Sequence, residues 1–249
     1  MNTVEVRQPR LSVITATRNA STTLPQLIAD LRAQSCQDFE WIVADGGSTD
    51  ATLQQLAAVT DINLQVSSQA DFGIYDALNR AIRLARADFY LVIGADDRLY
   101  PEAVAGFVQA IAAEPADVIS ADVRIGQHIR CAQGRRNGWQ GVMAAVSSHS
   151  VGTIFRVSLH QQLGFYTHRL PITADRLFIA RILSAGVKIR RADFIAGEFT
   201  LQGTTGTDSV GLLTESLRVE LMAGANRWVA LGLFFMRLVR VLLKPGQVL

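Results

Sequence analysis

The sequence predicts an α/β fold built on a mainly parallel, doubly wound sheet. Three observations carry that reading. Five short apolar runs alternate with stretches of helical periodicity within the first 122 residues. Two of those runs end directly in acid, at Asp45 and at Asp96-Asp97. Hydrophobic residues make up 49% of the 249, against 18% charged, which supplies one large core and excludes wholesale disorder.

Taken in order, Leu11 to Ala16 reads as a buried strand, and Leu24 to Gln34 as a helix with apolar residues at 24, 27, 28 and 31. Trp41 to Ala44 is a second strand, stopped by Asp45-Gly46-Gly47-Ser48. Ser48, with Asp50 behind it, is expected to cap a helix running through Leu53, Leu56 and Ala57. Ile62 to Val66 gives a third strand, Ile74 to Leu84 a helix, and Phe89 to Ile93 a fourth strand. Pro101 opens a helix to about Ala113, and Val118 to Ala121 is the fifth strand. Right-handed crossovers gather the loops after these strands at one sheet edge, where a ligand is expected. Beyond residue 122 the pattern loosens. Arg124 to Asn137 reads as a hairpin or a loop, Ile154 to Leu163 and Asp175 to Leu183 as helices, and Val187 to Ile195 as a late strand. With no repeat and no Pro-, Gly- or Ser-rich linker, residues 1–224 are expected to form one domain, in halves 1–122 and 123–224, followed by a tail at 225–249.

Net charge is only +2, unevenly spread: 8 basic and 16 acidic residues up to Asp122, 16 and 6 beyond it. All but Lys188 and Lys244 of the 24 basic residues are Arg, which suits bidentate phosphate binding, although a GC-rich genome produces the same bias. Near-neutrality argues against a dedicated nucleic-acid binder, while a basic second half suits a small phosphorylated ligand or an anionic membrane. Cys36 and Cys131 form neither a disulfide framework nor a zinc spacing. Met1 to Arg10 lacks the apolar stretch of a signal peptide, so the Asn19-Ala20-Ser21 sequon carries nothing. No run reaches the roughly 20 apolar residues that cross a bilayer. These features predict a cytoplasmic protein.

Acids at the carboxyl ends of parallel strands point into the ligand crevice. Two adjacent carboxylates repel unless a cation relieves them, and hard oxygen donors suit Mg²⁺ or Mn²⁺. Alternatively, Asp96 and Asp97 simply cap the helix opened by Pro101.

Four blocks sharpen the reading: Ser12-Val-Ile-Thr-Ala-Thr-Arg-Asn19, Trp41-Ile-Val-Ala-Asp-Gly-Gly-Ser-Thr-Asp50, Asp71-Phe-Gly-Ile-Tyr-Asp-Ala-Leu-Asn79 and Gly94-Ala-Asp-Asp-Arg-Leu99. In this order and spacing they resemble the family 2 glycosyltransferases, whose fold is the Rossmann-like GT-A sheet. Within them the chain resembles the bacterial branch that builds surface polysaccharides of the colanic-acid type. The resemblance spans about residues 11–200. It implies transfer from a nucleoside-diphosphate sugar to a hydroxyl, with Mn²⁺ or Mg²⁺ and inversion at the anomeric carbon. It also implies roles. Thr15 and Arg18 would border the nucleotide, and Asp45 would accept from base or ribose, the glycines after it allowing a sharp turn. Asp71, Tyr75, Asp76 and Asn79 would lie near ribose, diphosphate or sugar. Asp97 would bind the metal directly and Asp96 would contact ribose or sugar. Asp76 and Asn79 also suit capping or solvation, and Tyr75 suits packing.

In the second half the family places an Asp or Glu base at the start of a helix. Pro171-Ile-Thr-Ala-Asp-Arg-Leu-Phe178 occupies that place, and Asp175 is the only carboxylate between Asp122 and Asp193. The resemblance therefore assigns Asp175 as general base, with helix capping beside Thr173 as the alternative. His149, in Ser147-Ser-His-Ser150, stands where relatives place a His toward acceptor or sugar. Thr204 and Thr205, in Leu201-Gln-Gly-Thr-Thr-Gly-Thr-Asp208, stand where family members often carry a Gly- and Ser-rich loop; this tract is expected either to close over the diphosphate or to form a plain turn, and no P-loop lysine follows. Arg135-Arg136 either clamps a phosphate or is solvated.

Trp228 to Leu243 is apolar apart from Arg237 and Arg240, with Arg227 and Lys244 at its ends. Arg237, Arg240 and Lys244 are expected on one helical face, with Phe234, Phe235, Leu238, Val241 and Leu242 on the others. A helix of about 24 Å is too short to span the bilayer core, so an interfacial helix on the inner membrane is expected, beside a glycan or polyprenyl-linked acceptor. Packing on protein is the alternative. Two rival functions fit less well. A sugar-1-phosphate nucleotidyltransferase needs a Gly-rich basic loop that Thr15 to Asn19 lacks, and a non-catalytic nucleotide-sugar sensor or scaffold has no use for Asp175.

Overall fold

The structure, a computed structural model, describes residues 8–132, 142–200 and 208–243. The first half runs β1 (Leu11–Thr17), α1 (Leu24–Arg32), β2 (Phe39–Asp45), α2 (Thr52–Ala57), β3 (Leu64–Ser68), α3 (Ile74–Leu84), β4 (Phe89–Val92), β5 (Arg98–Leu99) and α4 (Ala103–Ala113). The second half adds β6 (Val118–Ile125), β7 (His128–Arg130), a 3-10 turn (Val142–Ala145), β8 (Thr153–Arg156), α5 (Leu159–Leu163), α6 (Ala174–Ser184), β9 (Ile189–Glu198), α7 (Ser209–Met222) and α8 (Arg227–Leu243).

The strands pair in the order β3-β2-β1-β4-β8-β6-β9-β5, with β7 beside β6. β1 is parallel to β2 and β4, β2 to β3, and β6 to β9. β8 runs antiparallel to both β4 and β6, so β1, β2, β3, β4, β6 and β9 all point one way. The chain steps outward from β1 through β2 to β3, then crosses back to put β4 on β1's other side. That reversal opens a crevice beyond the carboxyl ends of β1 and β4. Everything of chemical interest lies around it.

Side chains alternate along each strand and feed two cores. Val13, Trp41, Val43 and Leu91 pack with Leu27 of α1, Leu56 of α2 and Phe107 of α4. Ile14, Ile42, Tyr90 and Val92 pack with Leu78 of α3 and Phe178 of α6 on the opposite face. Burial on both faces explains why these strands read as continuous apolar runs.

The structure corrects several local expectations. Ile154 and Phe155 are strand, not helix: Ile154 pairs with Leu91 and Ile119, Phe155 with Tyr90 and Val118. Pairing on both sides overrides a helical spacing, and the helix starts only at Leu159. Ser48 does not cap α2, because its hydroxyl turns back to Asp45; Asp50 instead accepts from the amide and hydroxyl of Thr52. The hairpin expected after Arg124 exists as β6–β7, turning at Gly126 with φ 57°. Arg135 and Arg136 lie outside the described residues. β5 and α7 have no counterpart in the sequence reading. Arg237, expected to face outward with Arg240, turns toward α7 and pairs with Glu220 at 3.2 Å.

Asn79, expected near ligand, is a strut. Its Nδ2 donates to the Tyr166 carbonyl at 2.8 Å and its Oδ1 accepts from the Tyr166 amide at 3.0 Å, all buried. Asn79→Ala would leave two buried backbone groups unpaired and should lower unfolding free energy by about 2–4 kcal/mol. Urea titration measures this directly. A loss below about 0.5 kcal/mol would show that the strut is dispensable.

Candidate active site

Asp45 ends β2 and is fully buried. Its carboxylate accepts from Thr17 Oγ1 (3.1 Å), Gly47 N (3.0 Å), Ser48 N (2.9 Å), Ser68 Oγ (2.8 Å) and the Ser48 hydroxyl. Burial alone would raise its pKa, but the Ser48, Ser68 and Thr17 donors outweigh that and hold it below the ordinary value. Asp45 therefore shapes the turn after β2, and its oxygens are already engaged by the protein. The same turn is stitched to the loop after β1. Asn19, at φ 52°, accepts from the Thr49 amide and donates its own amide to Ser48 Oγ, while the Ser21 amide donates to Asp50. Arg18 stands exposed on that loop. Thr15, expected beside the nucleotide, is fully buried two residues deeper in β1 and accepts from Trp41 Nε1. Thr17 is the residue that reaches the edge.

The block at the start of α3 closes on this edge. A Cβ on Gly46 would lie 2.6 Å from Asp71 Oδ2, so the glycine lets the Asp71 carboxylate rest against the Asp45 turn. Asp71 also accepts from the Gly73 amide, and Asp76 from the Phe72 amide, which gives Asp76 a capping role. Tyr75 reaches farther. Its hydroxyl lies 2.8 Å from Asp175 Oδ1 and 3.0 Å from the Ile172 carbonyl. Burial and the Asp175 charge keep its phenol protonated far above the usual range.

Asp96 and Asp97 follow β4 and differ sharply. Asp97 is buried and accepts from Gly94 N (2.9 Å), Ser150 Oγ (2.7 Å) and Thr200 N (2.9 Å). Burial raises its pKa, the three donors oppose that, and the neighbouring Asp96 charge adds to the rise. Asp96 is half-buried, and among the described residues no donor engages its carboxylate; its carbonyl accepts from Thr200 Oγ1. The free carboxylate is thus Asp96, whereas Asp97, expected as the direct metal ligand, is held by the protein. Ser150 is delivered by a strained backbone: the next residue, buried Val151, has φ 67° and donates its amide to Val92.

Asp175 stands in the first turn of α6. Glu215 of α7 secures that turn, its Oε2 accepting from the amides of Ile172 and Thr173 and from Thr173 Oγ1. Thr173 occupies the cap position itself, with no side-chain capping bond. His149 is buried among Phe155 and Tyr166 rather than open to an acceptor. Its Nε2 contacts Tyr166 Oη at 2.7 Å; Tyr166 meets Tyr90 at 2.9 Å, and Tyr90 meets His160 Nε2 at 2.6 Å. Burial lowers the pKa of both histidines, that of His160 to about 4.

The expected residues therefore divide. Asp71, Asp96 and the exposed Arg18 stand in the loops beyond the strand ends, and Tyr75 links the α3 block to Asp175. Thr15, Asn79, Asp76 and His149 bond within the protein, and so do the Asp45 carboxylate with five donors and the Asp97 carboxylate with three. Thr204 and Thr205 lie outside the described residues. Ser150, Thr200 and Glu215 escaped the sequence reading; only Ser150, within the Ser-Ser-His-Ser run, stood in a singled-out segment.

A family model described as glycosyl transferase family 2 matches residues 12–158. A PGL/p-HBAD biosynthesis glycosyltransferase of Mycobacterium bovis (strain BCG / Pasteur 1173P2) is 38% identical over 121 residues, covering 46% of this chain and 47% of that protein. The match thus takes in about half the length of this curated relative. Staphylococcal TarS 1–349 (S. aureus), solved with UDP-GlcNAc, superposes with TM-score 0.68 at 19% identity over 89% of this chain and 69% of its own. A mannosyltransferase of Pyrobaculum calidifontis, solved with GDP-Man and Mn²⁺, gives 0.64 at 18% identity, covering 88% and 65%. These likenesses show a shared GT-A fold.

The neutral His149–Tyr166–Tyr90–His160 chain makes stability pH-dependent. The unfolded chain protonates its histidines near pH 6.5 while the folded one resists, so stability is lost as pH falls from about 6.5 toward 4. Urea unfolding at pH 7 and pH 5 should differ by about 2 kcal/mol for each of the two histidines at most. A His160→Gln variant with an unchanged pH slope would contradict this.

Proposed function

The chain belongs to glycosyl transferase family 2, and we propose that it is an inverting, metal-dependent enzyme moving a sugar from a nucleoside-diphosphate sugar to a hydroxyl of a lipid-linked glycan. One observation carries the reading. Tyr75, in the block that closes on the donor edge, hydrogen-bonds Asp175, 100 residues later, at the start of α6. A carboxylate fixed there suits a general base. Asp175 takes the acceptor's proton as that hydroxyl oxygen attacks the anomeric carbon, the bond to the diphosphate breaks on the opposite side, and the configuration inverts. Tyr75 donates to the Asp175 oxygen and orients it. Arg18 offers an exposed cation to the diphosphate. Asp45 acts through the turn it organises, whose backbone borders the nucleoside, and Asp71 closes that edge.

The donor set fits a divalent cation. Asp96 and Asp97 are hard oxygen ligands whose mutual repulsion a cation would relieve. Among the described residues no group of three or more His, Cys, Asp or Glu gathers, which suits an ion completed by water and phosphate oxygens. Asp96 would hold Mn²⁺ or Mg²⁺, with Asp97 steadying the loop. When bound, the ion neutralises charge on the departing diphosphate. The Mn²⁺ and GDP-Man bound by the Pyrobaculum neighbour support this choice. The acceptor and the cationic, apolar C-terminal segment together favour work at the cytoplasmic surface of the inner membrane. Surface-glycan assembly is the corresponding process.

Release of nucleoside diphosphate tests the assignments. Asp175→Asn should lower turnover by about 10²–10⁴-fold while donor affinity holds. Undiminished turnover would remove Asp175 from the chemistry. Tyr75→Phe should cut kcat about tenfold with donor KM unchanged. The two metal-loop acids should separate. Asp96→Ala should abolish metal-dependent donor binding at near-native stability, whereas Asp97→Ala, which strands three donors, should also cost about 2 kcal/mol in urea unfolding. Equal stability losses would contradict that division.

A further inference from the structure

α8 is 17 residues long, with Ala230 its only fully buried side chain. Its inward side lies on α7, fastened by Arg237 to Glu220. At 100° per residue, Trp228, Phe235, Val239 and Leu242 form one outward stripe, flanked by Val229 and Met236. All six are more than half exposed, Trp228 at 69% and Leu242 at 68%. Arg240 stands at the border of this face, and Arg227 stacks on Trp228 at 5.3 Å. From Leu221 to Leu249 the sequence holds four cations and no acid.

From this outward face we infer that α8 docks lengthwise into the headgroup–acyl boundary of an anionic bilayer. The inference rests on the membrane-surface reading above and goes beyond it by naming the face and its orientation. Length excludes spanning: 17 residues reach about 25 Å, short of a ~30 Å hydrocarbon core, and no helix among the described residues is long and apolar enough to cross a membrane. Charge selects lipid over a second copy of the chain. An isologous pair would set Arg227 and Arg240 against their own kind, whereas acidic headgroups pair with both while the aromatic stripe sinks below them. α7 then ties the bilayer to the chemistry. Glu220 holds α8, and Glu215, five residues earlier, holds the first turn of α6 that carries Asp175. Docking therefore fixes the height of the base above the lipid, where an amphiphilic acceptor presents its hydroxyl.

Flotation of the full chain with phosphatidylcholine vesicles, with and without phosphatidylglycerol, tests this. The chain is expected to float with the mixed vesicles, to leave them as salt rises, and to bind neutral vesicles more weakly. A Phe235→Asp, Val239→Asp double variant should lose at least about tenfold in partitioning, at unchanged melting temperature and unchanged donor hydrolysis in solution. A wild-type chain that ignores both vesicles overturns the inference. So does a dimer in light scattering that the double variant dissolves, since the face would then belong to a second copy. A chain that floats but hydrolyses no donor leaves the docking standing and counts against the transferase reading instead.

Discussion

Three distant stretches of chain meet on the buried carboxylate of Asp97. It accepts from Gly94 just after β4, from Ser150 ahead of β8 and from Thr200 at the end of β9. The first half of the molecule carries β1 to β4 and the second half carries Asp175, so their relative position depends on such ties. A carboxylate with three donors in a buried site is stable only while all three remain, which makes the loop rigid. That loop presents Asp96, whose carboxylate meets no donor among the described residues, at the switch point between β1 and β4. Arg98 extends the brace with a bidentate pair to Asp30 of α1. The strained Val151 is part of the same device, because its left-handed backbone turns Ser150 toward Asp97.

A second tie runs beneath Asp175. α3 grips the segment before α6 through Asn79 and Tyr166, and touches α6 itself through Tyr75 and Asp175. The buried chain from His149 to His160 fills the space between with mutually satisfied polar groups. Asp175 is thus positioned by packing and hydrogen bonds, which suits the proposed role of aligning an acceptor oxygen with a departing diphosphate.

The parallel half was legible because burial on both faces leaves an unmistakable apolar run. The edge elements were not. β5 has two residues, and β8 owes its conformation to partners on either side rather than to its own spacing. At the site, residue type did not separate ligand contacts from struts. Asn79 and His149 have the chemistry of ligands but spend it on Tyr166. Thr15 and Thr17 point to the same side of β1, yet Thr15 lies about 6.6 Å deeper and meets Trp41 instead of the crevice. Asp97 and Asp96 are adjacent in sequence, and only Ser150 and Thr200, 53 and 103 residues from Asp97, decide which of them stays free.

If a divalent ion held at Asp96 brings a nucleoside diphosphate to the β1–β4 switch point, nucleotide binding depends on metal. Calorimetric titration of UDP and of GDP, each with Mn²⁺ and again with chelator, tests it most directly. One nucleotide is expected to bind, and chelation to weaken it by about tenfold or more. Equal affinity with and without metal, or no binding of either nucleotide, would contradict it.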